Sequence, residues 1–197
     1  MMLKKTLLAV ALAVTPFTAF AGGSLDVFYV DQDMESQAGL DDDADGLGFR
    51  GLAELAKGVS LTALYQDADL DDADASLRET RIGLRYDTIC HGLNVGGSLE
   101  NVSIDLNQGG MGFSMRGYSA SAHASVSPID KVTLTARVGY TDVDELNGME
   151  YEVGAHYAIN KQVTGFVEYR MANLDDEGFF LGDVDLDTLR IGARYNF

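Results

Sequence analysis

Leu189-Arg190-Ile191-Gly192-Ala193-Arg194-Tyr195-Asn196-Phe197 alternates without a break. Leu189, Ile191, Ala193, Tyr195 and Phe197 share one parity, and Arg190, Gly192, Arg194 and Asn196 share the other. Successive side chains of an extended strand point to opposite faces, so this stretch reads as one β-strand with an apolar face and an arginine face. It runs to the last residue and ends on an aromatic, with no polar tail. An apolar face turned to lipid and an arginine face turned to a lumen is the arrangement of a transmembrane β-barrel strand.

Working outward from this strand, nine further segments of similar length carry period-two hydrophobicity. They are residues 25–31, 46–55, 59–65, 77–86, 93–102, 116–126, 131–141, 149–157 and 163–171. The segment 77–86 alternates most cleanly, with Thr80, Ile82, Leu84 and Tyr86 against Glu79, Arg81, Gly83 and Arg85. Segments 93–102 and 116–126 are rich in Gly, Ser and Ala, which leaves their register weakly specified. No helical periodicity appears beyond residue 21. The expectation is an all-β, up-and-down antiparallel transmembrane barrel of ten strands, with eight as the alternative.

The connections alternate between short (residues 56–58, 87–92, 127–130 and 158–161) and long (32–45, 67–76, 103–115, 142–148 and 172–187). Short turns belong to the periplasmic side of such barrels and long loops to the outside, which places both termini in the periplasm. The long connections, with Asp31, hold 22 of the 31 acidic residues and no Lys, Arg or His, whereas Lys57, Lys131 and Lys161 lie in or beside short turns. A soluble sandwich has no reason to sort charge in this way. Tyr29, Tyr65, Tyr118, Tyr140, Tyr151 and Tyr169 fall at the long-loop ends of segments on the lipid parity, and Tyr86, Tyr157, Tyr195 and Phe197 at the short-turn ends on the same parity. Amphipathic rings gather in this way at the two membrane interfaces.

The N-terminus fits export. Lys4 and Lys5 precede an apolar run from Leu7 to Val14, then Pro16, then Ala19-Phe20-Ala21, the pattern of a cleavable secretory signal peptide over residues 1–21. Residues 22–197 then form one barrel domain. No Cys follows the cleavage point, so a lipid-anchored N-terminus is not expected. The only cysteine, Cys90, reads as an exposed thiol in a turn, and no intramolecular disulfide is expected. A formal net charge of −17 speaks against nucleic acid as a partner.

From the signal peptide through Phe197, the chain resembles the small Gram-negative outer-membrane β-barrels, a group that includes the OmpA membrane domain, OmpX and the opacity proteins. The resemblance implies that Tyr195 and the terminal Phe197 form a signal read by the barrel-assembly machinery. Ten strands depart from the eight of those relatives, so none of their residue roles is carried over.

Inward parity gives Asp26, Glu54, Glu79, Glu100, Glu150, Glu152 and Glu168 against Arg50, Arg81, Arg85, Arg137, Arg170, Arg190 and Arg194. Charges in a narrow lumen must pair, so these residues form either a salt-bridged plug, which is favoured, or a narrow charged pore. Arg78 and Arg116 break the rule: both have outward parity at long-loop ends, where a guanidinium can grip lipopolysaccharide phosphate or simply reach to water. Asp41-x-Asp43-x-Asp45-Gly46 resembles the front of a calcium loop, but position twelve is Leu52 instead of Glu. Loose Ca²⁺ or Mg²⁺ binding at the acidic loops and a merely solvated surface are the two alternatives there. No cofactor is expected.

His91, His123 and His156 all map to the short-turn half. His123-Ala124-Ser125 matches the His-x-Ser of lipid A deacylases, but both residues have inward parity, away from lipid. The sequence therefore points to a non-enzymatic outer-membrane protein, structural or meeting an external partner through acidic loops. A small pore is the second expectation and a lipid-modifying enzyme the third.

Overall fold

Ten antiparallel strands close into one barrel, each hydrogen-bonded to its sequence neighbours and β1 to β10. The strands are β1 (Gly23–Ser36), β2 (Asp41–Ala56), β3 (Val59–Leu70), β4 (Ala75–Cys90), β5 (Leu93–Gln108), β6 (Met111–Ile129), β7 (Val132–Val143), β8 (Leu146–Ala158), β9 (Val163–Asp176) and β10 (Val184–Asn196). The structure, a computed structural model, describes residues 22–37, 41–70, 75–108, 111–176 and 182–197. The expected signal peptide lies outside these residues. All ten expected strands are present, the small-residue strands β5 and β6 included, so the ten-strand alternative holds and the eight-strand one does not.

The parities hold as well. Asp26 pairs in register with Arg50 on one side and Arg194 on the other, all three inward. Tyr29, Tyr65, Tyr118, Tyr140, Tyr151 and Tyr169 are exposed on the outer wall, as are Tyr86, Tyr157, Tyr195 and Phe197 near the opposite end. Two-residue hairpins close three of the four connections at the turn end, and a four-residue turn, residues 159–162, closes the fourth. At His91-Gly92 both residues have positive φ (52° and 82°), the backbone that a tight hairpin matched to strand twist requires.

The long loops do not hold. Most of the residues expected in them continue the ladder: β1 runs on to Ser36 and pairs with β2 from Asp41, and β5 and β6 pair as far as Gln108 and Met111. The cause is an inversion of the alternation. Below the Tyr girdle apolar residues face out and polar ones in, whereas beyond it Asp31, Asp33 and Glu35 face out and Met34 faces in. The same swap places Asp67 and Asp69 outside with Ala68 and Leu70 inside, and Asp185 and Asp187 outside with Val184 and Leu186 inside. The membrane-type barrel thus continues into a water-type barrel, with carboxylates on its wall and an apolar core.

That core is a cluster of Leu77, Val102, Val143, Leu146, Ala172, Leu174, Val184 and Leu186, with Ile104, Leu106 and Met115 packed against it. A second cluster sits beside it and includes Phe28, Val30, Leu64 and Phe166. Phe28 fits across the lumen because Gly48 and Gly192 carry no side chain: a Cβ on Gly48 would enter the Phe28 ring, and one on Gly192 would lie 2.6 Å from Phe28 Cβ and 2.9 Å from Phe166 Cζ.

Candidate functional site

The alternating inward residues stack the lumen into three layers. At the turn end is a polar vestibule of about 330 Å³, lined by Asp26, Arg50, Arg85, His123, His156 and Arg194 among others. Next comes a belt of paired charges, and beyond it, toward the loop end, the larger apolar cluster. Phe28 and Phe166 of the second cluster lie on the turn side, packed against Arg190 and against Arg50, Arg194 and His156.

The belt joins opposite walls. Arg170 on β9 donates two hydrogen bonds to Glu79 on β4, both of 2.9 Å, from the far side of the ring. Arg81 on β4 grips Glu150 on β8 with both terminal nitrogens and also donates to Glu79. Glu79 accepts a further bond from Gln66 Nε2 (2.8 Å), and Glu150 accepts from Thr141 Oγ1 (2.9 Å) and from Arg137 (3.2 Å). Arg190 holds Glu152 (3.0 Å) and donates to Gln66 (3.0 Å), its guanidinium 5.7 Å from the Phe28 ring centre. Glu79, Arg81, Glu150, Arg170 and Arg190 are all buried. Paired forks of this kind satisfy the charges that burial would otherwise penalise.

Below the belt, Arg50 bridges Asp26 (2.8 Å) and Glu168 (3.0 and 2.7 Å), and Arg194 grips the other side of Asp26 (2.7 and 2.9 Å). Glu100 lies 3.5 Å from Arg137 and 3.8 Å from Arg81. Seven inward arginines thus meet seven inward acids, with one change of membership. Glu54 is exposed at the rim, next to the β2 bulge, and forms no ion pair with a described residue. Water solvates it there, so it does not belong to the network. Its place is taken by Asp87, which the sequence had put in a turn. Asp87 in fact lies inside on β4, accepting from Arg85 (2.8 and 2.9 Å) and bonded to His123 (2.9 Å).

Of the other expected site residues, Arg78 and Arg116 are outward. Arg78 is engaged within the protein, 3.0 Å from Asp67 and 5.8 Å from the Tyr65 ring centre. The Arg116 guanidinium makes no hydrogen bond or ion pair with a described residue; its backbone meets Asp144, the N–H donating to the carboxylate (2.8 Å) and the C=O accepting from the Asp144 N–H (3.1 Å). The Asp41–Asp45 stretch is strand, not a calcium loop, because the β1 ladder extends it: Asp43 and Asp45 face out opposite Asp33 and Asp31. The Asp41 side chain lies outside what is described. Among the described residues no cluster of His, Cys, Asp and Glu is arranged to hold a metal.

His123 and Ser125 line the vestibule as their parity implied, and His156 stacks 5.8 Å from Phe166. His91 and Cys90 are exposed at the turn end, with Sγ 3.2 Å from His91 Nδ1. Tyr195 and Phe197 stack at 6.4 Å on the outer wall. The sequence missed the inward Gln66, Phe28 and Phe166 and the whole apolar layer. Their parity was legible, but most of that layer fell in segments read as loops.

The sequence pattern of Gram-negative porins matches residues 12–177. The chain belongs to the Gram-negative porin family. No curated protein matches this porin-family chain significantly. Among solved structures, it is similar to Neisserial surface protein A, with 13% identity and a TM-score of 0.54 over 89% of this chain and 97% of that one. It is also similar to the β domain of the Bordetella autotransporter BrkA, with 14% identity and a TM-score of 0.53 over 90% and 100%. The translocator domain of the autotransporter NalP from Neisseria meningitidis gives 11% identity and a TM-score of 0.50 over 98% of each chain. At these identities the likeness is one of fold. Family and fold together make the porin-family chain an integral β-barrel of the Gram-negative outer membrane.

Proposed function

We propose that this barrel is closed and non-enzymatic, bracing the outer membrane and presenting the acid-studded ladder outside the cell. The observation that carries closure is the belt: Arg81–Glu150 and Arg170–Glu79 tie opposite walls together, with residues only 2–4% exposed. An ion would have to break these forks and then cross the apolar layer. Interior width grows with strand number, and wide aqueous channels belong to barrels of 16 strands or so. Charge and girdle placement support the orientation, with Lys57, Lys131 and Lys161, the start of β1 and the end of β10 at the turn end facing the periplasm. A narrow pore is the second reading, supported by the family match and by the vestibule, which opens the lumen halfway. A lipid-modifying activity has less support, since His123 faces Asp87 inside the barrel instead of lipid.

Two experiments test the proposal. On intact cells a bulky maleimide should label Ser114→Cys in a Cys90→Ser background, and should reach native Cys90 only after lysis; the reverse pattern overturns the orientation. Deleting the protein should raise leakage of periplasmic enzymes under detergent stress and leave uptake of small hydrophilic solutes unchanged. A loss of uptake would make it a pore.

A further inference from the structure

The outer wall of the barrel is not uniformly convex. A shallow, open groove of about 830 Å³ crosses the wall from β4 to β8, floored on β6 by Ala120 and Ala122, with Gly97 beside them. Tyr86 and Leu99 wall it on one side, Val138 and Tyr140 on the other. Small residues on the outward parity of β6 make the floor, and large apolar residues on β4, β5 and β7 make the sides. Tyr86 belongs to the turn-end girdle and Tyr140 to the loop-end girdle, so the groove lies in the hydrocarbon band.

Two occupants fit such a place, a lipid chain or a second copy of this protein. Charge decides between them. A second copy would bring together two chains of formal charge −17, each with carboxylates on its loop-end wall. Arg116, by contrast, lies on the same face of β6 as the groove floor, four residues from Ala120, or about 13 Å along the strand. Tyr118 stands between them at the girdle. Arg116 is the one arginine without an ion pair among the described residues; the neighbouring Asp144 carboxylate accepts from its backbone N–H, not from its guanidinium. A fatty acyl chain lying in the groove would bring a lipid phosphate to the level of this guanidinium.

We infer that the β6 groove, with Arg116 at its loop end, is a binding site for one lipopolysaccharide molecule, an acyl chain along Ala120 and Ala122 and a phosphate on Arg116. The inference rests on the orientation proposed above, which puts the loop end in the outer leaflet. In a bilayer every apolar wall is already covered by lipid tails, so area alone gives no preference. The preference comes from filling a concave surface that a disordered chain packs poorly, and from a guanidinium fork matched to phosphate.

The test uses full-length protein refolded in detergent micelles and native mass spectrometry, with purified lipid A and, separately, phosphatidylglycerol as probes. The expected result is one lipid A retained per chain. Retention should fall roughly tenfold in Arg116→Gln and again in Ala120→Leu/Ala122→Leu, which fills the groove with apolar atoms and keeps the wall lipophilic. Heat-modifiable gel mobility verifies that each variant is folded. Lipid A bound equally by wild type and both variants overturns the site, as does no binding at all. A dimer that the leucine variant dissociates replaces the lipid with a second copy. Groove-dependent retention of phosphatidylglycerol alone overturns the lipopolysaccharide assignment and implicates the orientation, which labelling of Cys90 tests independently.

Discussion

Replacing Arg81 by Ala removes the residue on which the belt turns. Its guanidinium serves Glu79 and Glu150 directly and lies 3.8 Å from Glu100, and the residue is only 3% exposed. Breaking a buried ion pair from one side typically costs about 3–5 kcal/mol, because the orphaned charge stays buried. Both orphans keep partners: Glu79 retains Arg170 and Gln66, and Glu150 retains Thr141 and Arg137. The loss should therefore fall at the low end, about 3 kcal/mol. Arg85 and Arg194 provide the comparison, with side chains 34% and 29% exposed at the vestibule. Water reaches their partners more easily, so Arg85→Ala should cost no more than about 1 kcal/mol. Arg194→Ala should fall between the two, because Asp26 is buried but keeps Arg50. Urea unfolding in detergent, followed by tyrosine emission since the chain has no Trp, should separate the three. With slopes of roughly 1–3 kcal/mol per molar, Arg81→Ala should lower the midpoint by about 1–3 M and Arg85→Ala by well under half of that. Equal midpoints for all three variants would refute the layered account of the lumen.

Three other outcomes are expected. Gly48→Val should block folding or strongly destabilise the barrel by driving a side chain into Phe28, and Phe28→Ala should partly restore Gly48→Val but not the wild type; failure of that rescue in heat-modifiability gels would remove the steric explanation. Phe197→Ala should slow insertion and leave the protein open to periplasmic proteases, and a normal outer-membrane yield would contradict its role in assembly. Outward Asp31, Asp33 and Glu35 stand in register with Asp45, Asp187 and Asp185, like charges side by side on the ladder. Chelating Ca²⁺ and Mg²⁺ should therefore speed proteolysis at the loop end more than at the turn end, and indifference to chelator would leave the carboxylates merely solvated.

The membrane-spanning half of this fold was legible because one physical rule, lipid outside and polar lumen inside, governs most of it, with the inward Phe28, Leu64 and Phe166 as exceptions. Strand number, parity, girdles and 13 of the 14 expected lumen charges followed from period two alone. The loop-end half obeys the opposite rule. Asp31-Gln32-Asp33-Met34-Glu35 keeps its period but reverses its sign, and a run of acids at that point reads as a solvated loop. The apolar layer was invisible for the same reason, since its Leu and Val stand singly among carboxylates. Asp87 escapes the sequence for a related reason: residues 87–92 read as one connection, whereas the ladder leaves only His91 and Gly92 to turn. The small residues of β6 looked like weak patterning; their outward members are the floor of a groove.

Whether the belt closes the lumen is decided by the planar-bilayer conductance of the purified full-length protein. In symmetric salt, with insertion verified by heat-modifiability of the same preparation, a plugged barrel leaves the membrane silent, with no reproducible unitary steps. Uniform ohmic steps from wild-type protein would contradict it, and would make the belt the wall of a pore instead of its plug.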